Sequence, residues 1–101
     1  MDYGIVDLGS AVFMTVQCKN TSRVATAPDA TPAYKIYGPA MTLITSGSFN
    51  ATIIDSNTGY YGTTVTCSSG AGFAVGTAYR VRVTYAISST TYVEEHGYLV
   101  T

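Results

Sequence analysis

The ionisable side chains whose spacing could support chemistry are Glu94, Glu95 and His96, which form the only such cluster in the 101-residue chain. Carboxylates beside an imidazole are the groups from which a metal site or a general acid–base pair is built. In a β-strand, Glu94 and His96 project to one face and Glu95 to the other, so the three do not converge without a bulge. The sequence therefore favours cross-strand pairing of the glutamates with Arg80 or Arg82 over a metal or acid–base centre.

Two cysteines, Cys18 and Cys67, are the other candidates for chemistry. Two thiolates alone do not complete a zinc site, and no C-x-x-C spacing is present. Each shares a strand face with a valine, Val16 and Val65 respectively, which predicts two small buried side chains. Without a secretion signal we expect both thiols to be reduced, with a Cys18–Cys67 disulfide as the alternative. We predict no enzyme activity, no cofactor and no metal.

The chain is poor in charge, with 11% charged residues and a net charge of −1. Ordinary soluble domains carry about 25% charged residues. This balance argues against electrostatically driven nucleic-acid binding and gives no reason to expect an anionic membrane as partner. The longest apolar runs are only a few residues, so no segment is expected to span a bilayer.

The predicted secondary structure of the chain consists of strands. Apolar and polar residues alternate with a period of two between clusters of Gly, Pro, Asn and Ser. The predicted strands are residues 11–18, 34–37, 41–45, 49–54, 60–67, 78–87 and 91–100, with a turn at residues 46–48. Short strands at this spacing predict an all-β fold, an immunoglobulin-like or fibronectin-III-like antiparallel β-sandwich of about seven strands, with a small β-barrel as runner-up. We assign residues 11–101 to this domain and residues 1–10 to an N-terminal docking arm.

Four residues are predicted to have structural roles in the turns and the strand that follows them. Asp55 and Gly59 bound the strongest turn signature, since Asp can bond nearby backbone and Gly adopts positive φ. Gly76 belongs to the loop before the last long strand pair, and Tyr79 begins the strand after it. A tyrosine there can bury its ring and bond its hydroxyl to the connecting backbone, as tyrosine corners do.

A sequence pattern in the second half of the chain resembles that of small immunoglobulin-like domains in tailed-phage virion proteins. The pattern is Asp55-x-x-x-Gly59-x-Tyr61, then Thr64-Val65-Thr66, then Phe73-x-x-Gly76-x-x-Tyr79-x-Val81-x-Val83. The segment Pro32-x-Tyr34-x-Ile36-Tyr37 resembles an earlier strand of the same domains. The resemblance covers about residues 11–100 and concerns fold rather than one activity, and bacterial surface proteins use similar domains.

The resemblance implies a non-enzymatic virion structural protein, a capsid decoration or cement protein of a tailed bacteriophage that binds the head surface. Its partner would be the major capsid protein or another virion protein, and it would form a homo-oligomer in the virion, assembled in the host cytoplasm. The alternative is a carbohydrate- or host-receptor-binding module on the phage tail or neck, with a glycan held by exposed tyrosines in the loops at residues 38–39, 57–61 and 68–73.

Two groups of residues are predicted to contact such a partner. The N-terminal arm is more apolar than a free tail would be, and such a segment often docks on a neighbouring molecule. Its predicted contact residues are Tyr3, Ile5, Val6 and Leu8. The chain also holds nine tyrosines and no tryptophan, too many for all to lie in the core. Exposed tyrosines suit protein interfaces and stacking on sugars. Tyr60 is the tyrosine predicted to contact a partner in this way.

Overall fold

The computed structural model describes residues 3–50 and 54–101, which form seven strands in two packed sheets. The strands are β1 Tyr3–Val6, β2 Ala11–Gln17, β3 Ala33–Tyr37, β4 Leu43–Ser48, β5 Tyr60–Thr66, β6 Ala78–Ile87 and β7 Thr90–Val100. The larger sheet has the order β1-β7-β6-β3-β4, and β2 pairs with β5 in the smaller one. The prediction of an all-β sandwich of about seven strands is confirmed.

The core lies between the two sheets, where the strands place most of their buried apolar residues. Along β6 every second residue is buried, from Tyr79 through Val81 and Val83 to Ile87. A shift of one residue would place the intervening arginines in the core, so the register is strongly specified. The buried residues that complete the core include Val16, Cys18, Ile36, Phe49, Phe73 and Val100.

The N-terminal segment belongs to the domain rather than standing apart from it as an arm. Strand β1 runs parallel to the end of β7, with Ile5 opposite Leu99 and Val6 opposite Val100. Val6 is buried in the core, so its side chain fills this chain's own interior and is not available to a partner. Residues 1 and 2 of the predicted arm lie outside the described residues.

Strand β4 differs from the prediction because it runs through residues 46–48, which were expected to turn. Gly47 lies under the Tyr34 ring, where a Cβ atom would come within 2.7 Å of the Tyr34 hydroxyl oxygen. The glycine therefore permits a close cross-strand approach instead of a turn. Of the predicted strand at residues 49–54, residues 51–53 lie outside the described residues, and Ile54–Ser56 is a short 3-10 segment.

Candidate functional site

The outer face of the five-stranded sheet, the side turned away from the core, collects most of the basic side chains. The β3–β6 register sets Lys35 opposite Arg82 and Tyr37 opposite Arg80. Lys35, Arg80 and Arg82 are three of the five basic residues of the chain. The β6–β7 register adds one acid, Glu95, opposite Arg82. This face therefore carries more positive than negative charge although the chain as a whole is slightly acidic.

The outer face of the two-stranded sheet contrasts with it, since all its positions are uncharged. They are Ala11, Phe13, Thr15, Gln17, Tyr60, Gly62, Thr64 and Thr66, as the β2–β5 register pairs them. Tyr60, a predicted contact residue, is half-buried here beside Gln17. Of the two outer faces, only that of the five-stranded sheet therefore carries charged side chains.

Glu95 lies between the two arginines without binding tightly to either. Its Oε2 is 3.5 Å from Nε of Arg80 and 3.8 Å from Nη2 of Arg82. Both distances exceed the usual range of about 2.7–3.2 Å for an N–H···O hydrogen bond. The glutamate is a shared counter-ion for the arginines, which confirms the predicted cross-strand pairing for Glu95.

Arg82 is positioned by an aromatic ring rather than by hydrogen bonds. Its guanidinium carbon lies 5.7 Å from the centroid of the Tyr37 ring, within cation–π range. Its Nε is buried and has no hydrogen-bond partner within the described residues. The Tyr37 ring thus contacts the guanidinium without using any of its N–H donors.

A groove of about 240 Å³ opens at the end of this sheet, where β3 gives way to the 3-10 segment Pro39–Met41. Its walls come from that segment, the end of β3 and the start of β6, including Tyr37, Met41 and Arg80. Ala40 and Met41 adopt positive φ of 58° and 59°, which turns this segment sharply over the sheet end. The loop at Gly38 and Pro39, predicted from the sequence as a contact loop, therefore does border a concave surface.

The exposed apolar side chains around this face are mainly aliphatic. Ile5 is 74% exposed, Val93 53%, Leu43 51% and Met41 49%. The predicted cluster of exposed tyrosines does not form, because every described tyrosine ring is buried or half-buried. Tyrosine pairs explain part of this burial, as Tyr85 and Tyr92 stack with centroids 5.4 Å apart.

The predicted N-terminal contact residues have different surroundings from one another. Ile5 points outward and Leu8 is exposed, whereas Val6 is buried. Tyr3 is placed through its backbone, opposite Gly97. Among the described side chains of this group, Ile5 and Leu8 offer apolar surface that a partner can reach and Val6 does not.

The predicted tyrosine corner is present. Tyr79 is buried, and its hydroxyl accepts a hydrogen bond from the backbone N–H of Ala74 at 2.7 Å. The Tyr79 ring also packs against Phe73, with centroids 4.8 Å apart. The residue fixes the loop that precedes β6, which is a structural role.

The three predicted turn residues lie in left-handed backbone. Gly59 has a φ of 75°, Gly76 of 80° and Asp55 of 53°. Gly59 is also enclosed, since a Cβ atom there would lie 2.5 Å from the carbonyl oxygen of Thr26. Gly59 thus meets both a conformational and a steric requirement.

The remaining candidates for chemistry do not converge. Glu94 lies opposite Val83 and His96 opposite Val81, on the inner side of β7 away from Glu95. His96 borders a second cavity of about 190 Å³ together with Phe13, Met14, Thr15, Val81, Val83 and Tyr98. Within residues 3–50 and 54–101, no group of three or more His, Cys, Asp or Glu side chains could hold a metal ion.

Both cysteines are free and buried, as the sequence predicted. Burial is the main cause that raises the pKa of the Cys18 thiol from 9.0 to about 11, with the nearby Glu94 charge adding to it. Burial likewise raises the pKa of Cys67. Such thiols stay protonated near neutral pH and are poor nucleophiles.

Sequence reasoning placed Arg80 and Arg82 outside the core but did not find the basic face. The sequence does not indicate which strand pairs with β6, and Lys35 and Tyr37 lie beside the arginines only because β3 pairs with β6. The alternation within residues 34–37 was the one local signal, since it sets Lys35 and Tyr37 on the same side of a strand.

Neither family models, curated proteins nor solved structures give a match to this chain. In the described part of the chain, no helix has the length and hydrophobicity needed to cross a bilayer. The functional interpretation therefore depends on the basic outer face, its aliphatic surroundings and the groove at its end.

Proposed function

We propose that this protein is a non-enzymatic structural protein of a tailed-phage virion, a decoration or cement protein that binds the head surface. The observation that carries the proposal is the composition of the outer face of the five-stranded sheet. Arg80, Arg82 and Tyr37 lie there among exposed aliphatic side chains such as Leu43 and Val93. Arginine, tyrosine and methionine are enriched where proteins bind one another, and exposed apolar surface marks such sites.

The proposed partner is the major capsid protein or another virion protein, and the proposed location is the virion, assembled in the host cytoplasm. A small domain repeated over a shell occupies symmetry-related positions, so we propose that it also self-associates. Ile5, on the outer side of the edge strand β1, is the exposed aliphatic residue that supports lateral contact.

The experiment that tests this function is the copy number of the chain in purified particles, measured by quantitative mass spectrometry against the major shell protein. A copy number comparable with that of the shell protein is expected. A few copies per particle would contradict the head location and favour the tail or neck. Absence of the chain from particles would overturn the virion function.

A second candidate is a carbohydrate- or host-receptor-binding module, and the groove near Pro39 favours it. The groove of about 240 Å³ combines an aromatic wall, Tyr37, with a guanidinium, Arg80. Aromatic rings with nearby polar groups are a common way to bind sugars. A glycan array tests this function, and binding of a defined glycan that Tyr37→Ala abolishes would support it over decoration.

A further inference from the structure

We propose that the outer face of the five-stranded sheet binds an acidic protein segment, whose carboxylates engage Arg80 and Arg82 in place of Glu95. The chemistry of the partner is inferred from this face alone. Only the identification of that partner with a virion protein rests on the proposed function.

Charge is distributed unevenly over the surface of the protein. Three basic side chains, Lys35, Arg80 and Arg82, share the face with one acid, Glu95. The other two basic residues, Lys19 and Arg23, lie in the connection between β2 and β3. A face with net positive charge on a slightly acidic chain attracts an acidic partner and repels another copy of the same face.

The ion pairs that Glu95 forms with the two arginines are weak. Side chains of Arg80 and Arg82 are 43% and 38% exposed, and their contacts with Glu95 are 3.5 Å and 3.8 Å long. Exposed ion pairs of this kind contribute little to stability. A partner carboxylate that excludes water can make shorter, bidentate contacts with a guanidinium, so it competes effectively with Glu95.

The Arg82 guanidinium already lies over the Tyr37 ring before a partner binds. The Tyr37 ring already holds its guanidinium, so little side-chain freedom remains to be lost on binding. The Nε of Arg82 is buried, so the part of the guanidinium that a partner can reach is its terminal nitrogens. A carboxylate therefore meets an oriented donor rather than a mobile side chain.

The surrounding surface favours a protein over an acidic sugar. Two exposed aliphatic residues lie beside Lys35, Arg80 and Arg82: Leu43 opposite Tyr37 on β4, and Val93 on β7. Sugars stack on open aromatic rings, but Arg82 covers one face of the Tyr37 ring. Apolar residues beside arginines are instead the usual surroundings of a protein partner.

The experiment measures binding of fluorescein-labelled poly-L-glutamate to the full-length protein by fluorescence anisotropy, with polysialic acid as a parallel probe. The variants are R80Q/R82Q, which removes the proposed anchors, and E95Q, which removes the internal counter-ion. The matched controls are K19Q/R23Q, with the same loss of charge elsewhere, and E94Q on the opposite side of β7. Thermal unfolding of each variant verifies that it is folded.

We expect R80Q/R82Q to weaken polyglutamate binding at least about five-fold and E95Q to strengthen it about three-fold, since each is the effect of one or two exposed charge pairs. The controls K19Q/R23Q and E94Q should change it by less than about two-fold. Equal losses in R80Q/R82Q and K19Q/R23Q would overturn the proposal, because binding would follow net charge alone. Binding of polysialic acid without polyglutamate would overturn it in favour of a glycan.

The result is separate from the test of the virion function. If polyglutamate binds at the arginine pair but the chain is absent from particles, the virion function fails and the acidic-partner site stands. If the chain coats particles and R80Q/R82Q coats them equally well, the proposed site fails and the virion function stands.

Discussion

The Asp29 carboxylate accepts a hydrogen bond from the backbone N–H of Ser88, with 2.9 Å between Oδ1 and N. Its other oxygen accepts the N–H of Ser89, also at 2.9 Å, and the Asp29 N–H donates to the carbonyl of Ala86 at 2.7 Å. Ser88 and Ser89 both have positive φ, 49° and 67°, which non-glycine residues seldom adopt. One side chain from the long β2–β3 connection thus holds the β6–β7 turn.

Replacing Asp29 should destabilise the fold, because its carboxylate binds a turn that lies about sixty residues further along the chain. Asp29→Ala leaves two backbone donors of the turn without their partner, and we expect the free energy of unfolding to fall by about 1–3 kcal/mol. Ser89→Gly keeps the N–H and removes the positive-φ cost, so it should stabilise by up to about 1 kcal/mol. Urea unfolding measures both, and an unchanged midpoint for Asp29→Ala would contradict the role assigned to it.

The hydroxyl of Tyr79 is expected to matter more than that of another ring-packed tyrosine. Tyr79→Phe retains the buried ring but removes the acceptor of the Ala74 N–H, which should cost about 1–2 kcal/mol of unfolding free energy. Tyr92→Phe removes a hydroxyl from a half-buried ring stacked on Tyr85 and should change stability by less than about 0.5 kcal/mol. Chemical denaturation of both variants decides the comparison, and equal effects would count against the tyrosine corner.

Two turn glycines with similar backbone angles should respond differently to alanine. Gly59→Ala introduces a Cβ atom 2.5 Å from the carbonyl oxygen of Thr26, so we expect a loss of about 3 kcal/mol or more. Gly76→Ala has no atom within 4 Å of the new Cβ and should lose only the conformational cost of about 1 kcal/mol. Melting temperatures of the pair test this, and a larger loss at Gly76 would contradict the steric argument.

Alkaline pH should destabilise the protein through its buried thiols and phenols. The pKa of Cys18 is about 11 in the folded protein and its ordinary value is 9.0, so folding favours the protonated thiol. This contribution is complete below pH 9 and is lost as the pH rises through 11, because the unfolded chain releases the proton first. The raised pKa values of Cys67, Tyr85 and Tyr98, due chiefly to burial, act in the same direction.

The measurement is the urea midpoint at several pH values between 8 and 10.5, in reducing buffer. We expect a decline that starts near pH 9 and is shallower in Cys18→Ala, which has no thiol to titrate at that position. Lys19→Gln, an exposed neighbour in sequence, serves as the control and should keep the full slope. A Cys18→Ala slope equal to that of the unmodified protein would refute the contribution of this thiol.

Strands whose two faces differ in polarity were predictable from the amino-acid pattern alone. Strand β6 spans Ala78–Ile87, the predicted range, because a one-residue shift would bury Arg80 and Arg82. The turn at Gly59 and the tyrosine corner at Tyr79 were also predictable, since each depends on residues close together in sequence. Local interactions therefore account for the faces of the strands and for the tight turns.

The pairing of the strands and the position of the basic face depend on contacts between distant segments. Residues 3–6 form β1 by pairing with the edge of β7 and by placing Val6 in the core. Nothing in the local sequence of residues 3–6 indicates either contact. Gly47 lies in a strand because the Tyr34 ring packs over it, although its neighbours are typical of turns. The meeting of Lys35 and Arg82 likewise depends on the β3–β6 pairing. Hydrogen bonds between distant segments create these relationships, and the period-two pattern within one strand does not specify its partner.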